Sequence, residues 1–195
     1  MAKKASTLIN MALTLFVITA TSSIALGFMY QLTKEPKAAA EAAKQNFAIK
    51  AVSSADYDNN PSADAFTIDS YDGGEALECY PATKGGELQS IAVKTWTLNG
   101  FSGLVRLMAG FDKTGNIIAI SVLEQKETPG LGSKMTNSEF KNQFNGKNPG
   151  TGTLSVKKDG GEVDAITAAT ISSRAFTDAV NRAYKSLVNA GKIEN

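Results

Sequence analysis

Residues 91–123 read IAVKTWTLNGFSGLVRLMAGFDKTGNIIAISVL and decide the fold, because they carry the pattern of consecutive β-strands. Residues 91–98 are rich in β-branched and aromatic side chains, and Asn99-Gly100 directly after them is the strongest short sequence signal for a hairpin turn. Residues 101–111 predict a second strand, and after a DKTG turn residues 117–123 predict a third. The stretch therefore predicts an antiparallel meander of at least three strands.

The C-terminal side of this meander ends in a strong amphipathic helix. Residues 124–134 and 145–152 have the Gly and Pro content of loops, and residues 137–144 predict a short helix between them. Residues 173–188 then place their apolar side chains at helical spacing, and Gly191 follows as a stop signal. A meander followed by such a helix indicates the α+β class. The apolar stripe consists of Phe176, Ala179, Val180, Ala183, Tyr184, Leu187 and Val188.

The N-terminal side begins with an uncharged apolar run. Residues 8–30 would span roughly 30 Å as a helix, which is the thickness of the hydrocarbon core, and this length predicts a retained transmembrane anchor. A cleaved signal peptide is the alternative, because Ser23-Ile24-Ala25 resembles a small-x-small cleavage site. Residues 34–52 are Ala-rich and charged and predict a helix that starts after Pro36, whereas residues 53–63 have the composition of a loop.

The charges that flank the apolar run bear on its orientation. Lys3 and Lys4 favour a cytoplasmic N-terminus, although Lys34 and Lys37 on the other side reduce the charge difference. With a single span, the domain that follows is expected on the non-cytoplasmic face of the inner (plasma) membrane.

Composition excludes several kinds of chemistry. The chain has 195 residues, a net charge of +1 and 43% hydrophobic residues, which fits one folded domain with an appendage and argues against a nucleic-acid binder. It contains no histidine and one cysteine, Cys79, so His-based catalysis, an intramolecular disulfide and a zinc finger are excluded within this sequence. Cys79 is expected to be a small buried apolar residue. Neither a catalytic side chain nor a metal site is predicted, so we expect any chemistry of this chain to come from an organic cofactor.

Two loops carry the small residues that a phosphate-bearing ligand needs. Gly130-Leu131-Gly132-Ser133-Lys134 has the wrong residue order for a Walker A loop and for a dinucleotide-binding fingerprint, so nucleotide hydrolysis and Rossmann-type binding are rejected. Residues 164–173, DAITAATISS, lie directly before the last helix, whose N-terminus would offer free N–H donors and a positive dipole to a phosphate. The alternative is that Ser172 or Ser173 only caps that helix.

Both loops resemble the motifs of covalent flavoproteins that have an FMN-binding domain. Residues 167–172, TAATIS, are similar to the Ser/Thr-Gly-Ala-Thr-x-Ser/Thr motif, in which a flavin transferase uses FAD to esterify the second Thr with the FMN phosphate; here that residue is Thr170. Residues 127–132 are identical to the Glu-Thr-Pro-Gly-Leu-Gly loop of the same family. Ala168 replaces the usual Gly of the first motif, and Gln125 stands where some members carry His.

The resemblance implies that the FMN phosphate lies at the start of the last helix. Leu131 is expected against the flavin ring, and Arg174 either adds a contact to the phosphate or is a solvated helix residue. Glu127 either positions the loop or the flavin or is a solvated carboxylate, and Thr128 either donates to the cofactor or shapes the turn before a proline. The expected set has Thr170 as the attachment residue, with Glu127, Thr128, Gly130, Leu131, Gly132, Asp164, Thr167, Ala168, Ala169 and Ile171 as cofactor-binding residues.

Within this family the chain resembles the G subunits of Rnf complexes, called Rsx in some bacteria. The resemblance implies a membrane-anchored flavoprotein that relays electrons through FMN inside a ferredoxin:NAD oxidoreductase coupled to ion translocation, with the other Rnf subunits and a flavin transferase as partners. The alternatives are a C subunit of a sodium-translocating NADH:quinone reductase and a flavin-free, membrane-anchored binding module outside the cytoplasm. The expected organisation is an anchor in residues 1–33, a juxtamembrane helix and linker in 34–63, and an FMN-binding domain in 64–195.

Overall fold

The computed structural model describes residues 7–193, and the chain divides into two compact units. The first unit ends at Ala43 and the second begins at Lys44. Lys3 and Lys4, which bear on the predicted orientation, lie outside the described residues.

The first helix, α1, spans Leu8–Val52. The apolar side chains of its first part are exposed, and among the described residues it is the one helix long and apolar enough to cross a membrane. The prediction that a new helix starts after Pro36 is wrong, because Pro36 lies inside α1. Proline removes a single N–H donor, so only the C=O of Leu32 loses its partner in the helix while the flanking turns keep theirs. The helix therefore continues through this position.

The second unit is built on a five-stranded antiparallel sheet in which neighbouring strands follow chain order. The meander predicted from the sequence is confirmed as its last three strands, and two further strands precede them. The strands are β1 Phe66–Ile68, β2 Leu77–Lys84, β3 Glu87–Gly100, β4 Gly103–Asp112 and β5 Ile117–Gln125.

Strand β2 contains Pro81, which argues against a strand, and the single cysteine, Cys79. Pro81 lies in a strand that has neighbours on both sides, but β1 pairs only with residues 77–79 of β2. Pro81 therefore falls where β2 has no β1 neighbour, and such edge positions tolerate proline. Cys79 is fully buried, and burial raises the pKa of its thiol to about 12, so the prediction of a buried apolar cysteine is confirmed.

The hairpin between β3 and β4 turns two residues later than predicted. Asn99 and Gly100 belong to β3, and residues 101–102 form the turn. The side-chain amide of Asn99 donates to Asp178 Oδ2 at 3.0 Å, which holds Asn99 in the strand. Gly103 supplies the positive φ, +93°, that the tight connection needs. A contact with a distant part of the chain thus overrides the local turn signal.

The C-terminal helix, α3, spans Thr170–Asn189 and packs against β3 and β4. The predicted apolar stripe is confirmed, because each of its members is buried apart from Val188, which is half-buried. Thr95 in β3 donates its hydroxyl hydrogen to the C=O of Ala179 at 2.8 Å, so this polar group is satisfied inside the interface. Gly191 follows the helix in the left-handed conformation at φ +63°, which confirms the predicted stop signal.

Short helical segments and loops connect β5 to α3. Three aromatic rings, those of Phe140, Phe144 and Phe176, pack on one another with centroids 4.9–5.6 Å apart and fasten this connection to α3. The predicted short helix is confirmed as two successive helical turns. The segments are a 3-10 turn Gly132–Thr136, helix α2 Ser138–Lys141, a 3-10 turn Asn142–Phe144 and a 3-10 turn Lys157–Asp159.

The opposite face of the sheet receives the last turn of α1. Tyr80, Ala92, Gly110 and Ala119 form one cross-strand row from β2 to β5, and three of the four are small. A Cβ atom at Gly110 would lie 1.8 Å from the carbonyl oxygen of Val52 and 2.7 Å from its carbonyl carbon. The backbone of α1 therefore lies directly on β4, and only glycine leaves room for this contact.

We expect Gly110→Ala to lower the free energy of unfolding of the second unit by about 1–3 kcal/mol, because the added methyl group overpacks a contact between backbone atoms. Gly152→Ala is the matched control, since a Cβ there would lie 3.7 Å from its nearest neighbour, Glu162 Oε1. The control should stay within about 0.5 kcal/mol of the original chain. Urea unfolding of the full chain in detergent, followed by Trp96 fluorescence, measures both. Equal effects of the two substitutions would contradict the packing of Val52 on Gly110.

Candidate functional site

A cavity of about 320 Å³ lies where three separate segments of the second unit meet. The segments are the turn between β3 and β4, the loop after β5 and the N-terminus of α3. Its volume is at the lower end of the range for small-molecule sites. The lining residues are Phe101, Glu127, Thr128, Leu131, Gly132, Ala168, Ala169, Thr170, Ile171 and Ser172.

Most of the residues predicted to bind the cofactor line this cavity, including Thr170. Gly130, Asp164 and Thr167 do not line it. Asp164 instead forms an ion pair with Lys157, Oδ1 to Nζ at 2.7 Å. Gly130, Asp164 and Thr167 are all exposed. The two motifs thus converge on one site, but each of them also contains residues that do not line the cavity.

Phe101 and Ser172 line the cavity without having been predicted as cofactor-binding residues. Phe101 forms part of the β3–β4 turn, and 67% of its surface is exposed. An aromatic residue is unusual at the tip of a predicted hairpin, and this feature of the sequence could have marked Phe101 as a site residue. Ser172 was considered only as a helix cap.

Glu127 connects the three segments of the site. Its Oε1 accepts a hydrogen bond from the N–H of Ser102 in the β3–β4 turn at 3.0 Å, and its Oε2 accepts one from the hydroxyl of Ser172 in α3. Only 5% of its surface is exposed, so the alternative of a solvated carboxylate is wrong. A buried carboxylate is tolerated when hydrogen bonds satisfy its oxygens, and here those bonds join the turn, the loop and the helix.

The two glycines of the loop after β5 have different neighbours. A Cβ at Gly132 would lie 2.3 Å from Ser172 Oγ and 2.6 Å from Glu127 Oε2, so the close approach that this glycine permits is to those two side chains. A Cβ at Gly130 would meet nothing within 4 Å, but its φ of +77° is a left-handed conformation that favours glycine. Gly130 shapes the turn, whereas Gly132 allows the loop to pack against α3.

Helix α3 begins at Thr170, three residues earlier than predicted, and its N-terminus has no side-chain cap. Ala169 is the N-cap residue, and Ser172 and Ser173 lie inside the first turn. The Ser172 hydroxyl donates to Glu127 and the Ser173 hydroxyl donates to the C=O of Ala169 at 3.0 Å. The alternative that one of these serines only caps the helix is therefore wrong. The first N–H groups of α3 have no partner within the helix.

Ala168 is in a strained conformation directly before this helix. Among the described residues it is the one non-glycine residue with positive φ, +60°. The left-handed conformation costs an L-residue with a Cβ about 1–2 kcal/mol. The strain falls at the position where the resembling motif has glycine, so the chain keeps the glycine-like backbone although it carries alanine.

Lys158 contacts the Thr170 hydroxyl, whereas Arg174 pairs with Asp159. Lys158 Nζ lies 3.4 Å from Thr170 Oγ1. Arg174 makes a two-point contact with Asp159, Nε to Oδ2 at 2.7 Å and Nη2 to Oδ1 at 2.6 Å. The hydrogen bond from Arg174 holds the pKa of Asp159 below its usual value, and the charge of Lys158 contributes in the same direction. Arg174 is thus neither free in solvent nor directed at the cavity.

The mouth of the cavity is apolar. Leu131, Ile171 and Phe101 expose 40%, 48% and 67% of their surfaces around it. Large apolar side chains grouped on a surface mark a place where another molecule binds. The cavity therefore combines an apolar rim, a polar floor at Glu127 and Ser172, and a hydroxyl group at the start of a helix.

Residues 100–185 match the family model described as FMN-binding domain. The match begins at the last residue of β3 and ends inside α3, so it contains all three segments that form the cavity. Fold and site together define the class: an α+β FMN-binding domain preceded by an apolar helix long enough to cross a membrane.

Similarity to named relatives identifies the family within this class. The chain belongs to the family of G subunits of ion-translocating oxidoreductase complexes. It is 36% identical over 180 residues to the G subunit from Stutzerimonas stutzeri, covering 89% of this chain and 78% of the relative. It is 32% identical over 189 residues to the one from Haemophilus influenzae, covering 88% of this chain and 91% of the relative, and 38% identical over 153 residues to that from Yersinia pestis, covering 73% of each.

Two solved structures are also similar. The C subunit of the Na⁺-translocating NADH-quinone reductase from Parabacteroides distasonis has a TM-score of 0.48 and 20% identity, over 62% of this chain and 65% of that chain. NqrC from Shewanella oneidensis has a TM-score of 0.45 and 18% identity, over 59% of this chain and 62% of that chain.

We expect Ala168→Gly to leave the free energy of unfolding unchanged or to raise it by up to about 1 kcal/mol, because relief of the left-handed strain offsets the greater freedom of glycine in the unfolded chain. Ala175→Gly makes the same chemical change in the interior of α3, where it also removes a buried methyl group, and should lower the free energy of unfolding by about 1–2 kcal/mol. Urea unfolding of both variants provides the comparison. A loss of stability in Ala168→Gly as large as that in Ala175→Gly would contradict the strain at Ala168.

Proposed function

We propose that this chain is a membrane-anchored flavoprotein that relays electrons through FMN, attached through its phosphate to Thr170, within an ion-translocating oxidoreductase complex. One observation carries the proposal: Thr170 is the first residue of an uncapped helix and lies in the wall of the cavity. A hydroxyl group, free backbone donors and a ligand-sized cavity occur together at this residue.

The N-terminus of α3 suits a phosphate group. A phosphate diester keeps one negative charge, and unpaired N–H groups and the positive end of the helix dipole favour an anion there. Each dipole interaction of this kind contributes roughly 0.3–1 kcal/mol when it is exposed to solvent. The missing side-chain cap supports this assignment, because Ala169 leaves the donors of the first turn available.

The rest of the cavity suits the flavin ring. Leu131, Ile171 and Phe101 offer apolar surface to a flat aromatic group, and Glu127 and Ser172 offer polar atoms at the floor. FMN itself supplies the electron chemistry when it is bound, and the chain holds and orients it. A sequence without histidine can therefore take part in redox chemistry.

Attachment at Thr170 requires a second protein, a flavin transferase with FAD as its co-substrate. Thr170 Oγ1 forms a bond to the FMN phosphorus of FAD, the bond between the two phosphates breaks, AMP leaves and the hydroxyl proton is released. The half-buried Thr170 still reaches the cavity surface, so a transferase has access to it. The exposed loop residues Gly130 and Thr167 remain predicted contacts of the cofactor, as does Asp164.

The family supports a place for the chain among other subunits of a redox complex. The relatives are named as G subunits of ion-translocating oxidoreductase complexes, and two of them are matched over 78% and 91% of their lengths. We therefore favour an Rnf-type G subunit over a C subunit of a sodium-translocating NADH:quinone reductase. The proposed organisation is an anchor in residues 1–33, a juxtamembrane helix and linker in 34–63, and the FMN-bearing domain in 64–195.

We expect Thr170→Val to abolish covalent flavin, because valine has the shape of threonine but no hydroxyl oxygen to form the ester. The full chain is produced together with a flavin transferase, and flavin fluorescence is measured in a denaturing gel. Thr167→Val is the matched control: Thr167 is a predicted cofactor contact but does not line the cavity and is not the attachment residue, so this variant should keep at least part of its label. Label that persists in Thr170→Val would refute the attachment site, and an unlabelled original chain would favour the flavin-free binding module.

We expect the domain on the non-cytoplasmic side of the inner membrane. Lys37→Cys should react with a membrane-impermeant maleimide in intact cells, whereas Lys3→Cys should react only after the cells are broken. Native Cys79 can stay in place, because it is fully buried and its thiol pKa is about 12. The reverse labelling pattern would reverse the orientation, and a mature chain that begins near Leu26 would show that the apolar run is a cleaved signal.

A further inference from the structure

Three cationic side chains belong to the turn at residues 157–159 and to the first part of α3, and two of them are paired with carboxylates. Lys157 pairs with Asp164, Nζ to Oδ1 at 2.7 Å, and Arg174 pairs with Asp159 through both of its oxygens. Lys158 has no ion pair within 4.0 Å among the described residues. Its hydrogen-bond partner is the Thr170 hydroxyl, with Nζ 3.4 Å from Oγ1.

The backbone that carries Lys158 is fixed to the fold. Residues 157–159 form a 3-10 turn, whose first N–H donates to the C=O of Val163 at 2.8 Å. Gly161 closes the turn against residue 155, since a Cβ there would lie 2.1 Å from the Ser155 carbonyl oxygen. The pair between Asp159 and Arg174 connects the turn to the first part of α3. Lys158 therefore starts from a defined position beside the helix N-terminus.

We propose that Lys158 is the cationic residue that binds the phosphate of FMN attached at Thr170. The inference rests on the proposed function and adds a residue that neither motif contains. Formation of the ester places one negative charge on the oxygens around phosphorus, next to an ammonium group that has no carboxylate partner. Asp159 attracts the charge of Lys158, but both of its oxygens accept hydrogen bonds from Arg174, and the two neighbours form no ion pair within 4.0 Å.

The proposed ion pair between Lys158 and the FMN phosphate would be exposed to solvent, and this determines which measurement can detect it. Lys158 is an exposed residue, so salt should weaken its attraction to the phosphate. The contribution of Lys158 should also exist only when the phosphate is present. The quantity to measure is therefore the gain in melting temperature on flavin attachment, compared between variants and between salt concentrations.

Lys158→Gln, Lys158→Arg and Lys157→Gln are prepared as full chains in detergent, each with and without the flavin transferase. Lys157→Gln is the matched control, because it removes the same charge from the neighbouring residue, which is paired with Asp164. Calorimetry gives the melting temperature of each variant with and without flavin. Where labelling is partial, flavin fluorescence followed during heating reports the melting of the labelled molecules alone. The ³¹P chemical shift of the attached phosphate is an independent readout.

We expect Lys158→Gln to reduce the gain in melting temperature by about 2–4 °C at low salt and to shift the ³¹P resonance. Lys158→Arg should keep most of the gain, Lys157→Gln should match the original chain, and about 1 M salt should remove the difference. A gain and a ³¹P shift in Lys158→Gln equal to those of Lys157→Gln would overturn the assignment. A complete failure of Lys158→Gln to be labelled would overturn it as well, because the charge would then act in the transfer reaction. An original chain without covalent flavin would instead refute the proposed function.

Discussion

The hydrogen bonds of one buried carboxylate, that of Glu127, hold the candidate site together. A buried charge is stable only where its oxygens are satisfied, and here the donors come from the β3–β4 turn and from α3. The same carboxylate restricts its neighbours: a Cβ at Gly100 would lie 2.7 Å from Oε1 and one at Gly132 would lie 2.6 Å from Oε2. The nearest atoms to these two Cβ positions are the carbonyl oxygen of Gly103 and Oγ of Ser172, each at 2.3 Å, so the two glycines let the turn and the helix close around the Glu127 side chain.

Much of the fold and of the site follows from local sequence patterns. β-branched and aromatic residues together with turn signals identified the last three strands, and helical spacing identified the buried face of α3, because that spacing reports directly on which side of the helix faces the core. The two motifs identified most of the cavity lining. Local patterns work here because the motif residues lie on short loops that meet at the ends of strongly patterned elements.

The remaining features depend on partners that lie far away in the sequence. Asn99 carries a turn signal, yet its amide bonds to Asp178 and keeps it in β3. Pro81 argues against a strand, and only the short length of β1 makes its place in β2 acceptable. Asp164 belongs to the motif segment but pairs with Lys157. The sequence position of Lys158 does not reveal its location either, because its proximity to the Thr170 hydroxyl comes from the turn at Lys157–Asp159.

The exposed apolar rim of the cavity suits a ligand that is attached at Thr170. A ligand that binds reversibly needs a deep, enclosing pocket, because its occupancy depends on its dissociation constant and its residence time on its dissociation rate. A tethered ligand has a fixed, high effective concentration at its site however weakly the walls hold it. The exposed rim of Phe101, Leu131 and Ile171 can thus stay open without loss of the cofactor. An open rim lets the redox centre of a neighbouring protein approach with little polypeptide between the two, and the rate of electron tunnelling falls steeply with that distance.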